Sequence, residues 1–590
     1  MKLDIKPLQT LLLSLTLAYA GSALATTNAA SSTLIRDLTI FDATGKAPYT
    51  ADVLIQNGRF QAIGTQLSAP ADAKIIAGKG LSMLPGLIDV HVHWTNMGGV
   101  SRADIASQLL LSGVTTATDF HSAPESYAPK RDYHQQLLSP HVIYTARTGV
   151  PGGHGTDWGD ETVTRFASSE QEANAAITQL APYQPDMIKV FADGWRYGNP
   201  VNRNSINPDA LAAVVNAARG RNLPVVTHTV TVNGAKLAAT AGVTAIVHAI
   251  QDREADDELV ELLQKNKVFY APTLAVYEPR PGRTASASAA QEHLTAIRQA
   301  ASRKNLQRFA KAGIAIALGT DAGINSTFFG ESSLRELELL VEFGLTPTEA
   351  LIAGTANSAA VLGLQQDRGT IETGKRADFV LVKGQPWQNV SDYRNNEYVF
   401  VDGNMLVKQG QLTAAQGPAL PTAQAAPAIL DDFERADNLT LTLASRQADL
   451  DFGFPRSQLL TQRVPRDSGS MALLLSAKMA IKDTPKALIV LPVSPGAFAP
   501  VNASAFSGVQ FDAKGDTEQY LVELVSTTGV IRKTFSTSKN WQQLQLPFSE
   551  FSAAANAAEF SLDNIIAVKI GAQRAPGETF WLELDNVGFY

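Results

Sequence analysis

The spacing of apolar positions changes character along the chain. From 33 to 77 short alternating segments dominate, such as Ala51-Asp-Val-Leu-Ile-Gln-Asn-Gly-Arg-Phe60, where Asn57-Gly58 separates two apolar stretches and predicts a hairpin. From 81 to 364 apolar runs alternate with helical stretches, the pattern of parallel strands joined by crossover helices. Eight strand candidates fall at 86–93, 115–120, 142–148, 187–191, 224–229, 245–249, 268–274 and 314–320. Eight such units in about 250 residues match a closed (β/α)₈ TIM barrel, an α/β fold. Alternation returns in Gly374-Lys-Arg-Ala-Asp-Phe-Val-Leu-Val382 and Tyr398-Val-Phe-Val-Asp-Gly403, strands expected to rejoin the early ones in a small β-sandwich flanking the barrel.

The expected organisation is then a barrel over 85–364, a flanking sandwich from 31–84 and 365–413, and an aperiodic Ala-, Pro- and Gln-rich linker over 414–428. Residues 429–590 show only short strands with turn signals, as in Tyr520-Leu-Val-Glu-Leu-Val525 and Phe580-Trp-Leu-Glu-Leu-Asp-Asn586, and predict an all-β, jelly-roll-like sandwich. The length requires this division, because 590 residues exceed what one core of roughly 250–300 can hold.

Charge and composition narrow the partners. A net charge of -7 offers no basic face for a phosphate backbone, so nucleic acid is excluded and a small-molecule substrate expected. Lys2 and Lys6 precede an apolar run over 8–20 and then Ala23-Leu-Ala25, which reads as a signal peptide over 1–25 and predicts a periplasmic or secreted protein with no membrane span after cleavage. The run is too short for a stable span. The chain has no cysteine, which excludes a disulfide framework and a lipoprotein attachment site.

Chemistry concentrates at the ends of the barrel strands. His91 and His93 are two apart on the first strand, so both side chains share one face and can reach one ion. His228 closes the fifth strand, His248 lies in the sixth, and Asp321 follows the eighth in Ala317-Leu-Gly-Thr-Asp-Ala-Gly323. These ends form the face of a barrel where catalytic groups converge. Lys189 sits inside the apolar fourth strand, Asp186-Met-Ile-Lys-Val-Phe-Ala-Asp-Gly194. A buried ammonium must be paired or neutralised. Two readings stand: an ion pair with Asp193 or Asp321, or reaction with carbon dioxide to a carbamate that bridges two ions.

Pro85-Gly-Leu-Ile-Asp-Val-His-Val-His93, Gly113-Val-Thr-Thr-Ala-Thr-Asp119, Ile188-Lys-Val190, Gly319-Thr-Asp-Ala-Gly323 and Gly369-Thr-Ile-Glu-Thr-Gly-Lys-Arg-Ala-Asp378 together resemble the amidohydrolase superfamily, and within it the imidazolonepropionase-like and prolidase-like members. The resemblance covers 31–413. It implies a binuclear centre: His91 and His93 with Asp321 on one ion, His228 and His248 on the other, and carboxylated Lys189 between them. Zinc is the default divalent ion, with manganese, cobalt and iron as alternatives. The implied reaction is amide hydrolysis, with Asp321 moving the proton; deamination, cyclic-amide or lactone hydrolysis by one ion, and a non-catalytic exported binding protein, are the competing readings.

Substrate contacts are expected from the loops after the strands. His154, in Gly149-Val-Pro-Gly-Gly-His-Gly-Thr-Asp-Trp158, resembles a family histidine that faces the substrate; an exposed histidine on a glycine-rich loop is the bland alternative. Trp195, Arg196, Tyr197, Tyr277 and Arg280 are weaker candidates. Val230 stands where some prolidase-like relatives carry tyrosine, which points away from prolidase-type specificity. Asp89 is expected to support the histidines, and His121, His134, His141 and His293 to be structural or exposed. The C-terminal region, from Ile429-Leu-Asp-Asp-Phe433 to Leu582-Glu-Leu-Asp-Asn-Val-Gly-Phe589, resembles the complex I intermediate-associated protein family, which implies a galactose-binding-like sandwich with a carbohydrate- or protein-contacting role or a structural one.

Overall fold

The computed structural model describes residues 32–95, 100–156, 163–194, 204–279, 288–324, 327–451, 455–553 and 560–590. The expected signal peptide, Trp158, Trp195, Arg196, Tyr197 and Arg280 lie outside the described residues. Seven parallel strands pair in chain order: Leu87–Asp89, Val114–Asp119, His141–Gly149, Met187–Phe191, Val225–His228, Ala245–Val247 and Phe269–Ala271. The eighth unit closes the ring without forming a continuous ladder. Ala317 N–H donates to Tyr270 O (2.9 Å) on one side, while on the other Val90 N–H donates to Leu318 O (3.0 Å) and His93 N–H to Ala322 O (2.8 Å).

Apolar side chains from alternating strand positions, Ile88, Val90, Met187, Val226, Val247 and Ala317 among them, fill a buried cluster together with Phe120. The larger barrel core includes helix faces such as Leu109, Ile177, Leu211 and Leu259. Several of these helices start on a side chain that accepts a backbone N–H of the first turn: Ser101, Ser169, Asn207, Thr231 and Asp256. No helix among the described residues is long and apolar enough to cross a membrane.

Strands from both ends of the hydrolase region meet, as the alternation predicts. Leu81–Pro85 pairs with Thr33–Ile40 and with Phe379–Lys383, and the nine strands form one hydrogen-bonded sheet instead of two separate ones. The sheet folds over its own core of Ile35, Val53, Phe60, Phe379 and Phe400, and an isolated antiparallel bridge between Arg59 and Arg376 ties its edge strand Arg59–Gly64 to the segment leading into Phe379–Lys383. The Asn57-Gly58 hairpin turn is present, with both residues at positive φ (52° and 73°).

Beyond 428, two antiparallel sheets enclose a second core that includes Leu475, Phe511, Val522, Ile570 and Leu582. The stretch read as a linker is fastened rather than free. Gln416 bonds the barrel, Pro418 O accepts from Tyr133 Oη, and Gln424–Ala425 pairs with Val501–Asn502. Side-chain amides and backbone carbonyls hold this segment, so it shows no hydrophobic period.

Candidate metal centre

His91 and His93 alternate with Val92 off the end of the first strand, and their Nε2 atoms lie 3.3 Å apart. Both are 3.1 Å from Asp321 Oδ1. Burial pushes His91 down to about 3, so at neutral pH its ring is uncharged. Burial alone would raise Asp321; the neighbouring His248 and hydrogen bonds from His91 and His93 instead hold it well below the usual carboxylate range. Three lone-pair atoms about 3 Å apart is the spacing that ligands adopt around one ion at about 2.1 Å, so the donor set fits a divalent metal. Nδ1 of His91 and of His93 are buried without a hydrogen-bond partner among the described residues.

The backbone is bent to bring this group together. Asp321 has φ 61° and His248 φ 84°, a region that side-chain-bearing residues rarely adopt. Asp89 braces the first strand from behind. It accepts from His91 N–H (3.1 Å), Thr320 Oγ1 (2.7 Å) and Ser333 Oγ (2.8 Å), and burial lifts its carboxyl to about 7.

His248 stands beside His91, ring centroids 4.7 Å apart, and beside His228 at 4.4 Å. Its Nδ1 is 2.9 Å from Thr273 Oγ1, which leaves Nε2 as the ring nitrogen able to coordinate an ion. Lys189 is buried with Nζ 5.1 Å from the Phe120 ring centroid and 5.4 Å from that of Phe191. Among the described residues it has no ion pair; Asp193 instead accepts from Val230 N–H (2.7 Å) and Thr229 Oγ1 (3.1 Å). Burial pushes the Lys189 amine well below its ordinary value. All six residues line one cavity of about 510 Å³.

His154 is not an exposed loop residue. It is buried against the same cavity, its ring stacked on His228 at 4.1 Å. Tyr277 also lines the cavity. His121, expected to be structural or exposed, lines the cavity as well, and Arg147 and Gln251 are among the lining residues that the sequence reading did not single out. Arg147 Nη2 donates to Gly155 O (2.8 Å), with the guanidinium 5.3 Å from the Phe191 ring. His121 and Gln251 follow their strands by only two and four residues, a position that could have marked them, but neither falls on a recognisable pattern.

A second cluster, His141, Asp378 and Asp402, lies at the other end of the third strand. Its carboxylates already face guanidinium groups, Arg368 on Asp378 (3.5 Å) and Arg376 on Asp402, so it reads as an ion-pair network fastening the flanking sheet. His134 packs edge-on against Trp94 and bonds Ser139, and His293 lies on an exposed helix face.

Residues 82–406 match the model of the amidohydrolase family. Imidazolonepropionase from Idiomarina loihiensis is 28% identical over 377 residues, covering 56% of this chain and 85% of its own; that of a Geobacillus species is 24% identical, covering 61% and 91%. Among solved structures, a Xaa-Pro dipeptidase with bound methionine superposes with a TM-score of 0.56 at 23% identity, over 64% of this chain and 99% of its own. A putative prolidase from Bifidobacterium longum does so at 0.56 and 24%, over 64% and 94%. With its barrel, its flanking sheet and a metal-type triad at the strand ends, this chain belongs to the amidohydrolase family, metal-dependent hydrolases of carbon–nitrogen bonds.

Proposed function

We propose that the chain is a binuclear hydrolase cleaving the amide bond of a small substrate such as an N-acyl amino acid or a dipeptide. His91, His93, Lys189, His228, His248 and Asp321 would hold two divalent ions, zinc by default. The observation that carries this reading is the meeting of His91 Nε2, His93 Nε2 and Asp321 Oδ1 within 3.3 Å of one another, in a cavity that the other three residues share. Lys189 supports two ions over one. Among the described residues its amine, buried between aromatic rings, has no ion pair, so the neutral form is favoured. A neutral amine adds to carbon dioxide: an N–C bond forms, one proton leaves, and the resulting carbamate would supply two anionic oxygen donors to ions held there.

Ions bound there supply hydroxide near neutral pH and polarise a carbonyl. Asp321, kept as a carboxylate, accepts the proton of the attacking water and returns it to the departing nitrogen. His154, fixed by its stack on His228, hydrogen-bonds the substrate carbonyl oxygen. Phe120 and Phe191 keep water from the Lys189 side. The apolar run over 8–20 with Ala23-Leu-Ala25 supports a periplasmic or secreted location.

Protein purified without chelator is expected to carry about two ions per chain. Lys189→Ala should lose metal and turnover, and Asp321→Asn should lower kcat by about 10²–10⁴-fold on a panel of N-acyl amino acids and dipeptides. Full turnover in both variants would overturn the mechanism; one ion per chain would favour a mononuclear enzyme and none a binding protein.

A further inference from the structure

A second chamber of about 400 Å³ opens between the barrel and the C-terminal sandwich. Its walls come from both: Trp94, Ile105 and Tyr133 on the barrel side, Leu420, Pro421 and Phe498 on the other. His121 lines this chamber and the metal cavity alike. We infer that the chamber is a substrate subsite for an uncharged aryl or branched-alkyl group, joined past His121 to the metal cavity. The inference rests on the amide-hydrolase reading for what is cleaved, but not for what the chamber binds.

The chemistry of the walls selects that class. The charged groups at the chamber satisfy one another: Arg102 Nη2 donates to Asp119 (2.7 Å), Ser122 Oγ to Asp119 (2.5 Å) and Lys130 Nζ to Ser122 (2.6 Å). Each of these cations is already held by a protein oxygen, so a charged ligand would have to displace that contact and lose its hydration. The aromatic walls have also used their polar atoms. Trp94 Nε1–H donates to Thr118 O (3.0 Å) and Tyr133 Oη to Pro418 O, so neither ring has a polar atom left to offer a ligand. Phe498 sits edge-on to Tyr133 at 5.5 Å and under Lys130 Nζ at 5.3 Å, so the sandwich completes a surface the barrel begins.

His121 is the exception. Among the described residues its ring makes no hydrogen bond; only its backbone N–H is used, on Asp119 Oδ1 (2.9 Å). It is a free donor or acceptor at the junction, placed to orient the polar atom from which the apolar group departs.

Calorimetry with non-hydrolysable reduced-amide analogues tests this, with N-(4-phenylbutyl)glycine and N-ethylglycine as the pair. The metal-loaded wild type should bind the phenylbutyl compound about tenfold or more tightly. Val100→Trp, which fills the chamber from its partly exposed wall, and Phe498→Ala, which opens it, should each bring that ratio near one while metal content stays unchanged. An unchanged ratio in Val100→Trp, or no preference in the wild type, would overturn the subsite. Failure to hydrolyse the corresponding acyl compounds, with the binding ratio intact, would count against the amide-hydrolase reading alone.

Discussion

Among the described residues the buried side-chain N–H group of Gln251 has no partner, and it lines the cavity three residues beyond His248. An unmatched buried donor costs about 1–3 kcal/mol of stability, a cost that makes sense if a substrate oxygen satisfies it. Gln251→Leu should therefore raise the thermal midpoint or leave it unchanged, while kcat/KM falls about tenfold with metal content constant. A drop in stability without a change in kcat/KM would show a structural role instead. At this scale the candidate ligands stood out in the sequence because each type has a definite chemical appetite: His-x-His on a strand and a lysine in an apolar run are conspicuous. Gln251, Arg147 and His121 were not, since an amide, a guanidinium or a lone imidazole after a strand has many ordinary uses. Only the cavity they share distinguishes them.

At the scale of elements, the alternation of apolar runs and helical stretches was enough to find all eight barrel units within a few residues. The departure lies in the eighth, where the run over 314–320 forms isolated bridges and a bent backbone in place of a ladder. Hydrophobic period carries no information about that bend, which is dictated by packing. Gly323 shows why. It has φ 92°, and a Cβ there would stand 1.9 Å from His93 O, so only glycine lets the turn after Asp321 close against the first strand. Gly323→Ala should push the two segments apart, cost about 3 kcal/mol or more, and release metal. The check is metal content together with the thermal midpoint; retention of both would mean that the close approach is not required.

At the scale of the whole molecule, the C-terminal sandwich is bound to the barrel by contacts that no hydrophobic pattern announces. Ser445 N–H donates to the buried Glu125 Oε1 (3.2 Å), from a residue 320 positions away in sequence. Gln416 is the densest of these fastenings. Its amide donates to Ala103 O (3.1 Å), Ser107 Oγ (2.9 Å) and Leu138 O (2.8 Å), and its carbonyl accepts from Leu138 N–H (2.8 Å). Gln416→Ala would leave several partly buried backbone groups unpaired, a loss of about 1–3 kcal/mol. Because the affected groups lie between the two cores, the loss should appear as local opening of the connecting segment before either core unfolds. Limited proteolysis read by mass spectrometry should then show faster cleavage between 413 and 428 in the variant, with the fragments on either side still folded. Equal cleavage rates in variant and wild type would mean that contacts such as Phe498 against Tyr133 suffice to hold the sandwich in place.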